Sequence, residues 1–183
     1  MHYAWFIDAC WAVFIVYWII SSFSAKRTLN RTYGSGFWWR MGVIVIILTM
    51  LNFSGIRADN SFVPSQNMGL IGCALTALGV ALAIWARVYL ANNWGMPMSV
   101  KENPELVTTG PYAFIRHPIY TGALLAMFGS ALVVGVFWGV VFVLFATYFI
   151  YSVFEEEKIM RKEFPYEYAA YMKRTKRLIP FIY

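Results

Sequence analysis

The longest apolar stretch of this sequence, Ile119 to Phe154, constrains the fold more than any other feature. As one α-helix its 36 residues would measure about 54 Å, because each residue adds about 1.5 Å along the axis. The hydrocarbon layer of a membrane is only about 30 Å thick, so a single crossing cannot contain this stretch even when tilted. Two crossings fit, with a tight reversal at Val134, Gly135 and Val136. The sequence therefore predicts a helical hairpin in a membrane.

Three other apolar segments precede this hairpin and raise the predicted number of membrane spans to about five. The predicted spans cover residues 3–23, 38–53, 68–90, 119–134 and 136–154, followed by a tail at 155–183. The composition agrees, since 60% of the residues are hydrophobic and 13% are charged, whereas soluble domains carry about a quarter charged residues. We therefore expect a single all-α integral membrane domain over residues 1–183.

The basic residues are distributed unevenly between the two faces of this predicted bundle. With five spans, the segments at 24–37, 91–118 and 155–183 share one side, which holds 14 of the 15 lysines and arginines when helix ends are counted; Arg57 is the exception. Because positive residues concentrate in cytoplasmic loops, we expect a multi-pass protein with its N-terminus outside and its C-terminus in the cytoplasm. The net charge of +6 then fits membrane lipids rather than nucleic acid.

The loop after the third span carries an unusual concentration of proline, cationic and aromatic residues. Gly110-Pro111 and His117-Pro118 break helices and stiffen the chain, and Arg116 lies beside the histidine. One interpretation is a rigid loop that presents these groups to a ligand at the membrane surface. The other is an ordinary interfacial belt, since arginine and tyrosine often anchor helices at headgroups.

Three adjacent glutamates, Glu155, Glu156 and Glu157, follow the last span. Successive helical side chains point about 100° apart, so all three cannot face one site, and Glu157 is spaced for an i,i+4 pair with Arg161. A solvated helix start and a cluster with one or two inward-facing carboxylates both fit this pattern. The predicted hairpin returns the chain to the face that it left, and so brings the glutamates near His117.

Taken together, these segments resemble a known family. The loop reads GPYAFIRHPIYTG, and the chain after the hairpin reads EEEKIMRKEFPYEYAAYMKRTKRLIP. The combination of RHPxYxG, EE and FxxxYxxY resembles the isoprenylcysteine carboxyl methyltransferase family, within the wider group of membrane methyltransferases that includes the phospholipid N-methyltransferases. The resemblance covers about Leu106–Pro180.

The resemblance implies S-adenosyl-L-methionine as the methyl donor, in a pocket built by the cytoplasmic loop and the tail. The residues predicted to bind this cofactor are Pro104, Glu105, Leu106, Val107, Tyr112, His117, Pro118, Ile119, Tyr120, Gly122 and Glu156. Arg116, a member of the motif, and Glu155, which corresponds to a glutamate that phospholipid-methylating relatives use, are the predicted catalytic residues.

One position departs from the pattern of the eukaryotic prenylcysteine enzymes. Those enzymes carry a substrate-contacting arginine four residues before the cofactor-binding glutamate, where this sequence has Ser152. The partner for a substrate carboxylate is therefore missing, or another residue such as Arg87 or Arg116 supplies it.

The implied activity is carboxyl O-methylation of an isoprenylcysteine-like substrate, a lipophilic or prenylated acceptor that arrives through the membrane. The alternatives are a phospholipid or small-amine N-methyltransferase, in which Glu155 or His117 would serve as a base, and a non-catalytic lipid-binding protein. We predict no metal site, because the other histidine, His2, is expected on the opposite face.

The function of the tail stays open at this stage. Its tyrosines could cap the cofactor, or the segment could be an amphipathic helix on the membrane surface. We interpret Trp38, Trp39 and Trp94 as anchors at the membrane interface rather than as ligand contacts.

Overall fold

A computed structural model of the chain describes residues 2–23, 28–30, 63–94, 100–101 and 104–180, together with Gly42. This described part is nearly all helical, which confirms the predicted fold class. The helices are α1 (His2–Ser22), α2 (Gln66–Leu90), α3 (Pro118–Val134), α4 (Val136–Glu163) and α5 (Glu167–Arg174). Short 3-10 helices lie at Ala91–Asn93 and Gly110–Ala113, and two short antiparallel strands pair β1 (Thr28–Asn30) with β2 (Val100–Lys101).

Three of these helical segments are long and apolar enough to cross a membrane, which supports the predicted membrane location. They are Tyr3–Ser22, Gln66–Asn93 and Val136–Glu163, and α3 is a shorter apolar helix of 17 residues. Four of the five predicted spans thus correspond to helices. The predicted span at 38–53 lies outside the described residues, so the total of five spans and the sidedness stay predictions.

The hairpin between α3 and α4 is confirmed, and its turn is a single residue. Gly135 lies between the two helices with φ 97° and ψ −150°, a backbone conformation that is essentially restricted to glycine. Because the reversal needs just this one residue, α4 returns directly alongside α3 and brings its C-terminal half back to the start of α3.

The helix that contains the last predicted span extends beyond the predicted span end at Phe154, since α4 continues to Glu163. Residues 155–163 are rich in lysine, arginine, methionine and glutamate, which are good helix formers, so the helix continues beyond the predicted span. The 28 residues of α4 measure about 42 Å. The three glutamates are therefore held on a rigid helix rather than in a tail.

Small residues let α2 and α3 approach each other closely, which is how helices pack in membranes. A Cβ atom on Gly79 would overlap the backbone of Ala126, and one on Gly122 would lie 2.6 Å from the backbone nitrogen of Ala83. Gly72 and Gly129 make a second such contact further along the pair. Gly122, predicted to bind the cofactor, is therefore packed against α2.

Buried polar side chains connect α1 to this core. Thr76 and Ser130 are fully buried and bond to backbone carbonyls, including that of Ala126. The indole nitrogen of Trp11 donates a hydrogen bond of 3.0 Å to the Ser130 hydroxyl, and its ring stacks on Trp138 of α4 at 5.1 Å. These contacts place the middle of α1 beside the hairpin.

Candidate active site

A cavity of about 360 Å³ lies where α1 and α2 end, α3 begins and the second half of α4 passes. Its volume is that of a small-molecule site. The residues that line it are Phe14, Trp18, Leu90, Asn93, Trp94, Pro104, Glu105, Leu106, Val107, Tyr112, Arg116, His117, Ile119, Tyr120, Ala123, Phe149, Glu156, Ile159, Met160, Glu163, Tyr168 and Tyr171.

The predicted meeting of the histidine with the acidic cluster is confirmed. His117 Nδ1 lies 3.5 Å from a carboxylate oxygen of Glu156, and the Tyr120 hydroxyl donates a hydrogen bond of 2.5 Å to the other oxygen. The rings of His117 and Tyr120 are parallel, with their centroids 5.7 Å apart, and Tyr120 also stacks on Phe149 at 4.4 Å. One turn of α3 and one turn of α4 thus form a rigid polar wall.

Local sequence fixes the position of His117. Pro118 occupies the first turn of α3, where its missing N–H is not needed, and a residue before proline is kept out of the helical conformation. The backbone N–H of His117 donates instead to the carbonyl of Arg177 in the C-terminal tail, at 3.0 Å. The neighbouring N–H of Arg116 donates to Lys176 at 2.8 Å, so the tail pairs in parallel with this loop.

The protonation state of His117 is set by two opposing effects. Burial on its own lowers the pKa of the imidazole, but the carboxylates of Glu156 and Glu157 outweigh it and raise the pKa above its usual value. Its Nε2 atom is buried and has no hydrogen-bond partner among the residues that the structure describes. A protonated His117 therefore offers a second N–H donor, which suits an anionic group of a ligand.

Glu157 is a buried residue beside the cavity whose orientation the sequence left open. Its spacing fits a solvated i,i+4 pair with Arg161, and that pair exists at 3.3 Å. The same carboxylate is nevertheless 1% exposed, and it also pairs with Arg116 at 2.8 Å and with Arg177 at 3.2 Å. The inward-facing glutamates are thus Glu156 and Glu157. The sequence signal for this arrangement is helical spacing. Adjacent residues of a helix point about 100° apart, so Glu156 and Glu157 can face two sides of one imidazole ring.

Ten of the thirteen predicted site residues line the cavity, and three do not. Glu155 lies outside the lining and forms an ion pair of 2.7 Å with the exposed Lys158. Pro118 is buried at the start of α3, and Gly122 packs against α2. The predicted catalytic role of Glu155 stays a prediction, because its carboxylate is paired with Lys158 and lies outside the cavity lining.

Three aromatic residues of the lining bear on questions that the sequence left open. Trp94 lines the cavity and covers the Arg87 guanidinium at 4.8 Å, and its interpretation as an anchor at the membrane interface stays a prediction. The tail both caps the site and forms a short helix, because Tyr168 and Tyr171 of α5 are buried in the lining. Burial raises the pKa of both phenols, which keeps them neutral.

Arg87 clamps α1 to α2 beside the cavity. Its guanidinium donates to the carbonyls of Ser21 at 2.5 Å and Ala91 at 2.6 Å, the last carbonyls of helices where a cation is favoured. These bonds commit the side chain to holding helix ends together.

The comparison with known proteins decides the family. Residues 68–167, more than half of the chain, match the family described as phospholipid methyltransferase. The chain belongs to the phospholipid methyltransferase family. This is a family of membrane methyltransferases related to the isoprenylcysteine carboxyl methyltransferases, as the motifs predicted. The family match contains the loop, the hairpin and the glutamates, whereas Phe14 and Trp18 of α1 and Tyr168 and Tyr171 of α5 lie outside it.

Two curated proteins are similar to this family member over 146 residues, which is 78% of this chain. One is the cobalt-zinc-cadmium resistance protein CzcN of Cupriavidus metallidurans, at 28% identity. The other is the nickel-cobalt-cadmium resistance protein NccN of Alcaligenes xylosoxydans xylosoxydans, at 24% identity. The matched region spans 62% of the length of each relative.

Proposed function

We propose that this protein transfers a methyl group from S-adenosyl-L-methionine to a lipophilic acceptor at the boundary of membrane and cytosol. The observation that carries the proposal is the cavity wall formed by His117, Tyr120 and Glu156, which joins family-matched residues from two helices in one small-molecule site.

The residues of this wall fit the chemistry of the proposed cofactor. S-adenosylmethionine carries a carboxylate, an amine, a sulfonium cation, ribose hydroxyls and a flat adenine. The imidazole of His117, which is positive when protonated, suits the carboxylate, and the carboxylates of Glu156 and Glu163 suit the cationic and hydroxyl groups. Tyr112 and Trp94 supply flat apolar surface. The neutral Tyr112, whose pKa is raised by burial, adds no competing charge.

When bound, the cofactor supplies an electrophilic methyl group. The residues of the chain position the reacting groups and exclude water. Stacking on Tyr120 fixes the orientation of the His117 ring, and the Tyr120 hydroxyl holds the Glu156 carboxylate. Tyr168 and Tyr171 cover the site from the tail, with the Tyr171 hydroxyl donating to the carbonyl of Tyr112 at 2.6 Å. Holding two reactants in line within such a closed site is a large source of rate enhancement.

The charges of the lining favour an amine acceptor over a carboxylate. Among the described lining residues the carboxylates are Glu105, Glu156 and Glu163, and Arg116 is the one arginine. Arg116 is already bonded to Glu157 and to the carbonyl of Thr175. N-methylation of a lipid amine is therefore the acceptor chemistry that the site supports best.

Carboxyl O-methylation of an isoprenylcysteine-like substrate is the second candidate, supported by the resemblance of the motifs. Its difficulty is the missing cation. Ser152 is fully buried, with its hydroxyl bonded to the carbonyl of Tyr148, and Arg87 is committed to helix ends.

The two acceptors can be separated in one assay. Purified protein in lipid nanodiscs is supplied with methyl-labelled cofactor and with equal amounts of phosphatidylethanolamine and a farnesylcysteine analogue. We expect label in the amine lipid. Label in the farnesylcysteine ester alone would overturn the amine assignment, and label in neither acceptor, with no detectable binding of S-adenosylhomocysteine, would favour the non-catalytic lipid-binding alternative.

The names of the two relatives concern resistance to cobalt, zinc, nickel and cadmium. Within the described ranges, no group of three or more histidine, cysteine, aspartate or glutamate side chains is placed to hold a metal ion. The absence of a metal site stays the prediction made from the sequence.

Replacing Trp18 with leucine should impair use of the acceptor while sparing the cofactor. Trp18 and Phe14 bring apolar surface from a spanning helix into the cavity, and losing one aromatic contact typically costs a factor of about ten. We expect kcat/KM for the lipid acceptor to fall about tenfold, with the affinity for S-adenosylhomocysteine unchanged in calorimetry.

The matched control is Trp5→Leu, because Trp5 lies on the same helix, is 79% exposed and is outside the lining. Equal losses of acceptor use and cofactor affinity in Trp18→Leu would place Trp18 on the cofactor side instead.

A further inference from the structure

The buried carboxylate of Glu157 has no part in the proposed contacts with cofactor or acceptor, since it lies outside the cavity lining. Its side chain is 1% exposed. A buried carboxylate is costly unless it is paired and hydrogen-bonded. We therefore looked for a function of this carboxylate beside the cavity.

The partners of Glu157 come from three separate segments of the chain. Arg116 of the loop donates through Nε at 2.8 Å, Arg177 of the tail through Nε at 3.2 Å, and Arg161 of α4 at 3.3 Å. Arg161 is 49% exposed, whereas Arg116 is 7% exposed. Arg116 and Arg177, the less exposed partners, are therefore expected to stabilise the carboxylate most. They join the loop and the tail through Glu157.

The same loop and tail hold His117 from both sides. Arg116 donates through Nη1 to the carbonyl of Thr175 at 2.5 Å, and the backbone N–H of His117 donates to Arg177. The hydroxyl of Thr121, one turn into α3, donates to the carbonyl of Leu178 at 2.6 Å. The Glu157 carboxylate lies 3.9 Å from Nε2 of His117, close enough for its charge to act on the ring but too far for a hydrogen bond.

We propose that Glu157 is a positioning residue, which acts through Arg116 and His117 to hold the imidazole in the cavity wall, and that Arg177 of the tail completes the arrangement. The role rests on the proposed cofactor site. It makes docking of the tail a condition for tight cofactor binding, although the tail segment 175–178 lies outside the cavity lining.

The charges around His117 predict opposite shifts of its titration when a negative or a positive neighbour is removed. Glu156 and Glu157 of α4 and the Tyr120 hydroxyl of α3 face the ring, while Arg116 lies beside it and Arg177 lies on the tail. Negative neighbours favour the protonated imidazole and positive ones oppose it. Glu157→Gln should therefore move the titration of His117 to lower pH, and Arg177→Gln should move it to higher pH.

The experiment uses the full chain in detergent with carbon-13-labelled histidine. The sequence has two histidines, so a His2→Gln background leaves one imidazole signal for an NMR titration. Each variant is also titrated with S-adenosylhomocysteine by calorimetry. We expect both replacements to weaken binding roughly tenfold or more, the size of one charged hydrogen bond, and Glu157→Asp to restore part of the affinity.

The control is Glu167→Gln, which removes an exposed carboxylate from the first turn of α5 and should change neither readout. Shifts of the His117 titration in the same direction for Glu157→Gln and Arg177→Gln, or no shift in either, would overturn the proposal. If Glu157→Gln does not fold, an unshifted titration in Arg177→Gln overturns it alone. Failure of the unmodified chain to bind S-adenosylhomocysteine would instead refute the proposed function, and the NMR titration would still report on Glu157.

Discussion

Replacing Glu156 with glutamine is expected to lower the affinity for S-adenosylhomocysteine by about 100-fold. The Glu156 carboxylate accepts the hydrogen bond of the Tyr120 hydroxyl and faces His117 Nδ1. The amide removes the charge from both contacts and turns one acceptor atom into a donor that opposes the protonated imidazole. Calorimetry in detergent at constant pH measures the loss directly.

A second variant isolates the tyrosine hydroxyl. Tyr120→Phe keeps the stacking on Phe149 but removes the donor to Glu156, and should weaken binding about tenfold. The matched control is Tyr166→Phe, at a residue that is 85% exposed and outside the lining. Wild-type affinity in Glu156→Gln would show that the cofactor binds elsewhere.

Replacing Gly79 with leucine is expected to lower the free energy of unfolding by about 3 kcal/mol or more. A side chain at this position meets the backbone of Ala126 and the carbonyl of Gly122 rather than a flexible side chain, so α2 and α3 must move apart. The separation also disturbs Ala123, which lines the cavity. Thermal unfolding followed by tryptophan fluorescence measures the change.

The chain offers a matched control for this prediction. A Cβ atom on Gly139 of α4 would meet no atom of the described structure within 4 Å, so Gly139→Leu should not destabilise the protein. Equal unfolding temperatures for Gly79→Leu and Gly139→Leu would show that the close packing of α2 and α3 does not limit stability.

The hairpin and the meeting of His117 with Glu156 could be predicted because both follow from lengths. The apolar stretch is too long for one crossing, and Gly135 lies near its middle. The second helix is longer than the first, so it returns past the level at which the first begins. The number of apolar residues, compared with the thickness of the bilayer, thus predicts that the two ends of the hairpin lie close together.

The assignment of the glutamates could not be predicted in the same way. Which of Glu155, Glu156 and Glu157 faces inward depends on the rotation of α4 about its axis, and an error of one residue rotates the side chain by about 100°. That rotation is set by packing along the whole helix. The i,i+4 spacing of Glu157 and Arg161 correctly predicted an ion pair, but Arg161 is the more exposed partner of this carboxylate.

The pairing of the tail with the loop was also beyond the sequence. His117 and Arg177 are 60 positions apart, and no local pattern specifies which carbonyl will accept the histidine N–H. Tyr168 and Tyr171 of α5, three residues apart, fit an amphipathic helix, but did not indicate that its apolar side would cover a cavity rather than lie on lipid. The place of Trp94 in the cavity lining could not be predicted either, because interfacial and cavity-lining tryptophans occur in similar sequence surroundings.

The part that α1 plays in the cavity has a consequence for how such proteins diversify. Phe14 and Trp18 belong to a helix outside the family match, whereas His117, Tyr120 and Glu156 lie within it. Mutations at Phe14 and Trp18 would therefore leave the proposed methyl-donor contacts of His117, Tyr120 and Glu156 in place. A duplicated gene could acquire a different lipid partner through changes in this one helix, and chimaeras that exchange α1 between homologues would be a direct route to engineered substrate preference.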